Sequence, residues 1–265
     1  MVPVSVVIIT KNEAEVIAAT INAAQLITDD VIIIDNGSID QTLAIASASG
    51  CRIYQNSWTG YGANKNRGIE LARYDWILSI DADEIPDADL IRSLHSLKWD
   101  NATVVYDVKF RSYFGKKLIR FGHWGRDHHI RLFNRKQVRW SEPTVHEKLL
   151  LPQAVEIKKL NGYIHHYSVK NTLECATKAI KYAKLSAERY FWEGKKTSVI
   201  NLYISPVFGF LVNYIIFLGI LDGKEGWAIA KYIFKNKWLK YHYLNELENT
   251  LKKKQFINNV LAAEY

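Results

Sequence analysis

The chain has 265 residues, of which 48% are hydrophobic and 23% charged. That suits one large α/β domain, or a core domain with an appendage, and argues against a disordered or fibrous chain. Cys51 and Cys175 lie far apart with no CxxC, so no disulfide framework or zinc knuckle is indicated, and two reduced core thiols of a cytosolic protein are expected.

The start, MVPVSVVIITKNE, has no basic leader and meets Lys11, Asn12 and Glu13 after a short apolar run. It reads as a first strand, not a signal peptide, and a cytoplasmic location is expected. VSVVIIT and DDVIIIDNGS are β-branched runs of the kind buried on both faces in a parallel sheet, each ending in polar or turn residues. Between them EAEVIAATINAAQL has helical apolar spacing, and SIDQTLAIASASG repeats the plan up to Gly50. CRIYQNS then predicts a strand, GANKNRGIELAR a helix and DWILSIDADE a fourth strand. This alternation predicts a parallel sheet with right-handed crossovers, whose ligand-binding edge would carry Thr10, Asp35 and Asp81.

After about residue 100 the pattern shifts to ATVVYDVKFRSYF and RDHHIRLFNRKQVRW, which alternate like strands, and to the loop-like EPTVHEKLLL and NGYIHHYSV. From Val104 to Trp140, ten Lys or Arg stand against Asp107 and Asp127, so this stretch carries the whole formal net charge of +8. Such a zone suggests nucleic acid, anionic lipid or a phosphorylated substrate, although a solvated cationic face would look the same. A helix is expected from Asn171, where Asn171 and Glu174 have capping-box spacing. Val199 to Leu221 contains no charged residue. It could lie in a membrane interface as a broken hairpin, pack as a core or oligomer helix, or span a bilayer. Eight lysines against five acids follow Leu221, with Trp227 and Trp238 among them. By pattern the chain divides into 1–105, 106–195 and a helical extension, 196–265.

Asp81, Asp83 and Glu84 fall within four residues, close enough to repel one another unless something cationic gathers them. In an extended strand Asp81 and Asp83 would share a face and suit Mg²⁺ or Mn²⁺, although a solvated acidic turn can have the same DxD spelling. Asp35, followed by Asn36-Gly37-Ser38, could offer a carboxylate to a ribose hydroxyl or a base N–H, with Ser38 or Asp40 capping the next helix. Neither GxGxxG nor GxxxxGK[ST] occurs. Adjacent histidines on a strand point to opposite faces, so His128-His129 and His165-His166 each predict one core and one exposed residue; a single histidine of either pair could join an ion at Asp83 or a phosphate.

VSVVIITKNEAEVI, VIIIDNGSIDQT, GYGANKNRGIELA and DWILSIDADE, in this order, resemble the family 2 glycosyltransferases of GT-A fold. HHIRLFNR, PTVHEKL, IHHYS and GILDGKEG are similar to the branch of lipopolysaccharide core β-1,4-glucosyltransferases. The resemblance implies an α/β, Rossmann-like, mostly parallel sheet flanked by helices, with a C-terminal helical, membrane-associating extension. Residues 1–105 would bind the nucleotide sugar and 106–195 the acceptor. It further implies inverting transfer of a hexose, glucose favoured, from a UDP-linked donor to a cell-envelope glycolipid or lipopolysaccharide core, with Mg²⁺ or Mn²⁺ as cofactor. The enzyme would sit peripherally or monotopically on the inner membrane face, against an anionic surface, alone or as a homo-oligomer.

Residue by residue, Thr10, Asn12 and Glu13 would line the uridine pocket and Asp35 would meet base or ribose. Lys65 or Arg67 would lie near the nucleotide, Asp81 would contact ribose or metal, and Asp83 would ligate the metal. Lys11 stands where many members place an aromatic for stacking on uracil. Glu147 is the expected base, with His146 orienting it or contacting phosphate and Glu142 and Asp127 in reserve. Arg126 and Arg131, from the basic zone, are the expected acceptor or phosphate ligands. Two other readings are a basic nucleic-acid-binding protein, which leaves DxD and Asp35 unexplained, and a non-catalytic sugar-nucleotide binder.

Overall fold

The computed structural model describes residues 2–141 and 148–263, the stretch 254–263 as helical backbone alone. The chain forms two compact units: Met1–Arg120 with Trp124–Ser168, and Phe121–His123 with Val169–Tyr265.

The first unit opens with β1 (Val4–Thr10), α1 (Ile17–Gln25), β2 (Val31–Asp35), α2 (Thr42–Ala48), β3 (Arg52–Gln55), α3 (Tyr61–Glu70) and β4 (Trp76–Asp81). Every residue of β1 and β2 is buried, as their unbroken apolar runs require of strands covered on both faces. These strands pair in parallel in the order β3-β2-β1-β4. Thr10 lies opposite Asp35 and Ile9 opposite Asp81, so the three expected strand ends share one edge. One sheet face packs Ile8, Ile33, Leu78 and Ile80 against Ile17, Ile21 and Leu90. The other packs Val7, Ile32, Ile34, Ile77 and Phe133 against Ile69 and Ala72. Gly68 lets α3 approach this second face, since a Cβ there would stand 2.3 Å from Val7 Cγ1.

The chain continues through β5 (Glu84–Pro86), α4 (Ala88–His95), β6 (Val104–Phe114), β7 (Lys117–Leu118), a 3₁₀ turn (Trp124–Arg126), β8 (His128–Asn134), β9 (Arg139–Trp140), β10 (Leu149–Leu150) and β11 (Glu156–Val169). Beyond β4 the sheet runs β8-β6-β11-β5, with β4/β8, β6/β8 and β5/β11 antiparallel. The sheet is thus parallel in its first four strands and mixed beyond them. DWILSIDADE is not one strand: β4 ends at Asp81, Ala82 and Asp83 form a turn, and Glu84 starts the short strand β5 paired to β11. Asp81 and Asp83 therefore do not share the face of a continuous strand, because the chain must leave the centre of the sheet to reach its far edge.

In the second unit, α5 (Thr172–Trp192) is capped by Asn171, whose Oδ1 accepts from Glu174 N at 2.9 Å, while Lys170 N donates to Glu174 Oε2. Next come a π-helical turn (Ile200–Ile204), α6 (Ser205–Leu211), a second π turn (Val212–Ile216), a 3₁₀ turn (Gly219–Asp222) and α7 (Gly223–Ala263). The helix expected from Asn171 is α5, and it packs on α7: Asn236 of α7 donates to the Ala179 carbonyl of α5 at 3.0 Å. Among the described residues no single helix is long and apolar enough to cross a membrane.

Candidate active site

The edge at the ends of β1 and β2 is built by two loops that hold each other. Asn12, at φ 56°, receives Ile39 N on its Oδ1 and donates its own N–H to Ser38 Oγ, both at 2.9 Å. Glu13 N donates to Thr42 Oγ1 at 2.8 Å and Ala14 N to Asp40 Oδ2 at 3.1 Å. Asp40, not Ser38, holds the turn that leads into α2 by accepting from Thr42 N and Thr42 Oγ1. Asp35 is fully buried, and its Oδ2 accepts from Gly37 N and Ser38 N at 3.0 Å. Its Oδ1 and the neighbouring Thr10 Oγ1 are buried with no hydrogen-bond partner among the described residues. Two unsatisfied buried oxygens, side by side at a strand edge, call for a reason, and an arriving donor group supplies one. Thr10, Asn12, Glu13 and Asp35 are thus brought together, with Asn12 and the Glu13 backbone shaping the loop.

The acidic cluster after β4 has the cationic companions that its crowding demanded. Lys65, buried on α3, places Nζ 3.2 Å from Asp81 Oδ1 and lies over the Trp140 ring at 4.5 Å. Asn66 holds the Trp140 main chain by donating to Trp140 O and accepting from Trp140 N, each at 2.9 Å. Arg131 approaches Glu84 Oε1 to 2.5 Å and Asp81 Oδ2 to 4.0 Å, while Glu84 Oε2 accepts from Asp81 N. Burial pushes the Asp81 carboxyl up, but Lys65, Arg131 and His166 outweigh it and hold Asp81 below the usual carboxylate range. Burial also pushes Glu84 up; Arg131 offsets this only in part, and Asp81 and Asp83 add to it.

Asp83 has a different companion. The β5/β11 pairing sets His166 opposite Glu84, and Tyr167 N donates to Asp83 O, which leaves His166 Nε2 3.5 Å from Asp83 Oδ2. Burial pulls the imidazole pKa down, but Asp83, Glu84 and Asp81 carry it up to about 9. Once the imidazole gives up its proton, as metal binding requires, one hard oxygen beside one imidazole nitrogen fits Mg²⁺ or Mn²⁺, which take few protein ligands and complete their shells with water and phosphate. Among the described residues no group of three or more His, Cys, Asp or Glu is arranged to hold a metal. Asp83 and His166 would hold the ion, and Asp81 is engaged by Lys65.

A cavity of about 550 Å³ opens beside these groups, lined by Lys65, Asp81, His128, His129, Arg131 and Trp140 among others. That volume lies in the range of small-molecule sites. His128 Nδ1 lies 2.8 Å from Asp107 Oδ2, and His129 Nε2 lies 2.9 Å from Asp127 Oδ1. Both histidines are exposed, unlike the expected core-and-surface split, because β8 begins here at the cavity mouth and its register with β6 shifts between Tyr106 and Asp107. His165 is also half-buried, at 2.9 Å from Tyr113 OH. Burial pushes Asp127 up, yet His129 and more distant cations keep it low.

Other expected residues lie elsewhere. Arg67 pairs with Glu70 at 3.2 Å on the solvent side of α3, since two helical steps turn a side chain roughly 200° away from Lys65. Arg131, an expected acceptor or phosphate ligand, is buried and paired with Glu84 where it lines the cavity. Arg126 is exposed in the 3₁₀ turn. Arg135 and Lys136 of the cationic stretch both pair with Asp75. Glu142, His146 and Glu147 lie outside the described residues. Sequence reasoning missed Trp140 and gave Glu84 no role; only the pairing of α3 with β9 and of β5 with β11 exposes them.

A family model described as Glycosyl transferase family 2 matches residues 5–154. The chain is 30% identical over 276 residues to an uncharacterised glycosyltransferase of Rickettsia typhi, an alignment covering 100% of this chain and 92% of that one. It is 31% identical over 120 residues to a cholesterol galactosyltransferase of Borreliella burgdorferi, covering 42% and 33% of the two chains. Among solved structures, glucosyl-3-phosphoglycerate synthase from Mycobacterium tuberculosis with Mg²⁺ and uridine diphosphate is 26% identical, covering 42% of this chain and 43% of that one at a TM-score of 0.35. A family match over more than half of the sequence, and a relative aligned from end to end, lead to one conclusion: this chain belongs to glycosyltransferase family 2.

Proposed function

We propose that this transferase is inverting and divalent-metal-dependent, moving a hexose from a nucleotide diphosphate sugar, with UDP-glucose the favoured donor, to a lipid-linked cell-envelope acceptor of the lipopolysaccharide-core type. One observation carries the reading: Thr10 Oγ1 and Asp35 Oδ1, buried without a hydrogen-bond partner among the described residues, lie at the sheet edge that also carries Asp81, where Lys65 and the Asp83–His166 pair are gathered. Asp35 Oδ1 is placed to accept from a base N–H or a ribose hydroxyl. Asp83 and His166 would hold Mg²⁺ or Mn²⁺, which when bound offsets charge on the departing diphosphate. Lys65 adds a fixed positive charge and keeps Asp81 ionised.

The acceptor hydroxyl oxygen bonds to C1 of the sugar as the bond from C1 to the phosphate oxygen breaks. The diphosphate leaves with the electron pair, and the hydroxyl proton passes to a carboxylate. Glu147 is the proposed base. The segment 142–147 that contains it is bounded by β9 and β10, and Trp140, Lys148 and Leu149 all line the cavity. Asp127, on His129, is the alternative. The name of the Borreliella relative, a transferase to cholesterol, supports a lipid acceptor.

The test is nucleotide release from UDP-, GDP- and dTDP-sugars with and without Mn²⁺. Metal-stimulated release from one donor, lost in Asp83→Asn, is expected. Release that ignores metal, or survives that substitution, overturns the metal assignment; no release from any donor overturns the donor class.

A further inference from the structure

The 23 uncharged residues from Val199 to Leu221 fold inside out. Ile200, Ile204, Phe208, Leu211 and Ile215 recur at helical spacing and are all exposed, Phe208 by 61% and Ile200 by 62%. The inward side carries Pro206, Gly209 and the polar Asn213. Asn213 Oδ1 accepts from His123 N at 2.8 Å, Gly122 N donates to Phe217 O at 2.8 Å, and Phe121 N donates to Asp222 Oδ2 at 2.9 Å. At Leu218, φ 58°, the chain turns into the next helix with a bend of 73°. A segment that turns Asn213 inward and presents mostly aliphatic and aromatic side chains outward forms an apolar patch of the kind that marks an interaction surface.

Charge and aromatic placement say what covers it. Residues 169–265 hold fifteen Lys or Arg against eight Asp or Glu, whereas residues 1–103 hold seven against fourteen. Exposed Lys195 and Lys196 precede the apolar face and exposed Lys224 follows it. In sequence, Trp192, 84% exposed, precedes the segment and half-exposed Trp227 follows it, the Trp227 ring packing 5.2 Å from Phe210. Tryptophan and lysine at both margins of an uncharged apolar face match the layered polarity of a bilayer surface, and excess positive charge complements an anionic leaflet. The 73° bend breaks the apolar stretch, and among the described residues no single helix is long and apolar enough to cross a bilayer, which favours a face that enters one leaflet over a straight span.

We infer that the bent segment from Val199 to Leu221 is a monotopic docking surface for an anionic lipid bilayer, the cytoplasmic leaflet of the cell membrane. Apolar side chains enter among the acyl chains, and the flanking lysines meet headgroup phosphates.

Flotation of the full chain on vesicles tests this without turnover, so its failure leaves the transferase reading untouched. The chain should float with phosphatidylcholine vesicles containing phosphatidylglycerol, and less with phosphatidylcholine alone. Phe208→Ser combined with Ile216→Ser removes two exposed apolar groups and should lower vesicle affinity at least about tenfold, with an unchanged melting curve. Lys196→Glu combined with Lys224→Glu should abolish the preference for anionic vesicles. Wild-type protein left at the bottom of the gradient overturns the inference. So does a Phe208/Ile216 variant that floats normally while light scattering shows a dimer dissolved, which would make the face a contact between copies.

Discussion

Arg131 shows how a residue of the right type can serve a different end. Its guanidinium has the charge and shape for phosphate, yet only a few per cent of it is exposed, and it lies against a carboxylate that burial is already pushing toward the neutral form. Removing one partner of a buried pair strands the other, so Arg131→Met should destabilise the protein by about 3–5 kcal/mol in urea denaturation, with partial recovery in Arg131→Lys. A phosphate-binding arginine would instead raise the acceptor KM and leave the unfolding midpoint alone. Nothing local in HHIRLFNR separates these roles, since the deciding partner, Glu84, is 47 residues away. The cysteines were easier to read, because absence of a paired spacing is itself visible in sequence. Burial raises both thiols to about 11. Native protein at pH 8 should therefore react slowly with Ellman's reagent, and both thiols should appear at once in guanidinium.

At the scale of elements, the parallel strands were legible because burial on both faces leaves an unbroken apolar run that few other structures produce. The three-residue strand β5 was not. Its partner is β11, and an acidic tetrapeptide after a strand resembles the strand's own continuation. The face of α3 was half legible: Lys65 and Arg67 are equally basic, and only packing on Val7 and Ile34 decides which points inward. That packing hangs on Gly68. Gly68→Ala must displace Val7 or the helix, so a loss of about 1–3 kcal/mol is expected, together with weaker donor binding as Lys65 shifts from Asp81. Thermal melting and nucleotide titration read the two effects separately.

Asp30, at the opposite end of β2, staples four segments by accepting from Ser5 Oγ at 2.6 Å, Arg52 NH1 at 2.7 Å and Arg73 N at 2.8 Å. Burial pushes its carboxyl up, but Ser5, Arg73 and Arg52 together bring it below 3.8. A folded-state pKa below the unfolded value means that this stabilisation is complete above about pH 4 and disappears as pH falls through the lower, folded value. Asp30→Asn should cost about 1.5–3 kcal/mol at neutral pH and flatten the acid limb of the stability curve. An unaltered acid limb would show that the staple contributes little.

Across the whole molecule, charge is divided by task. Residues 1–103, with the strand edge and acidic cluster, carry a net −7, while 104–140 carry +8 and 169–265 carry +7. A bare acidic site would repel a nucleotide diphosphate. Here Lys65 and Arg131, gathered from α3 and β8, temper that field, and in the proposed mechanism Asp83 and a deprotonated His166 would share an ion with the donor. The remaining need is a base on the side away from the diphosphate, and two carboxylates compete for it. Asp127 is held low by His129, so it remains ionised but is a weak proton acceptor. Glu147 belongs to the segment joining Trp140 to Lys148, both at the cavity. If Glu147 takes the acceptor proton, Glu147→Gln should lower kcat for sugar transfer by at least about a thousandfold while UDP still binds in the presence of Mn²⁺. Asp127→Asn should then retain most of its turnover, its loss limited to the support that it gives His129. The reverse pattern, a silent Glu147→Gln and a dead Asp127→Asn with intact UDP binding, would move the base to the start of β8.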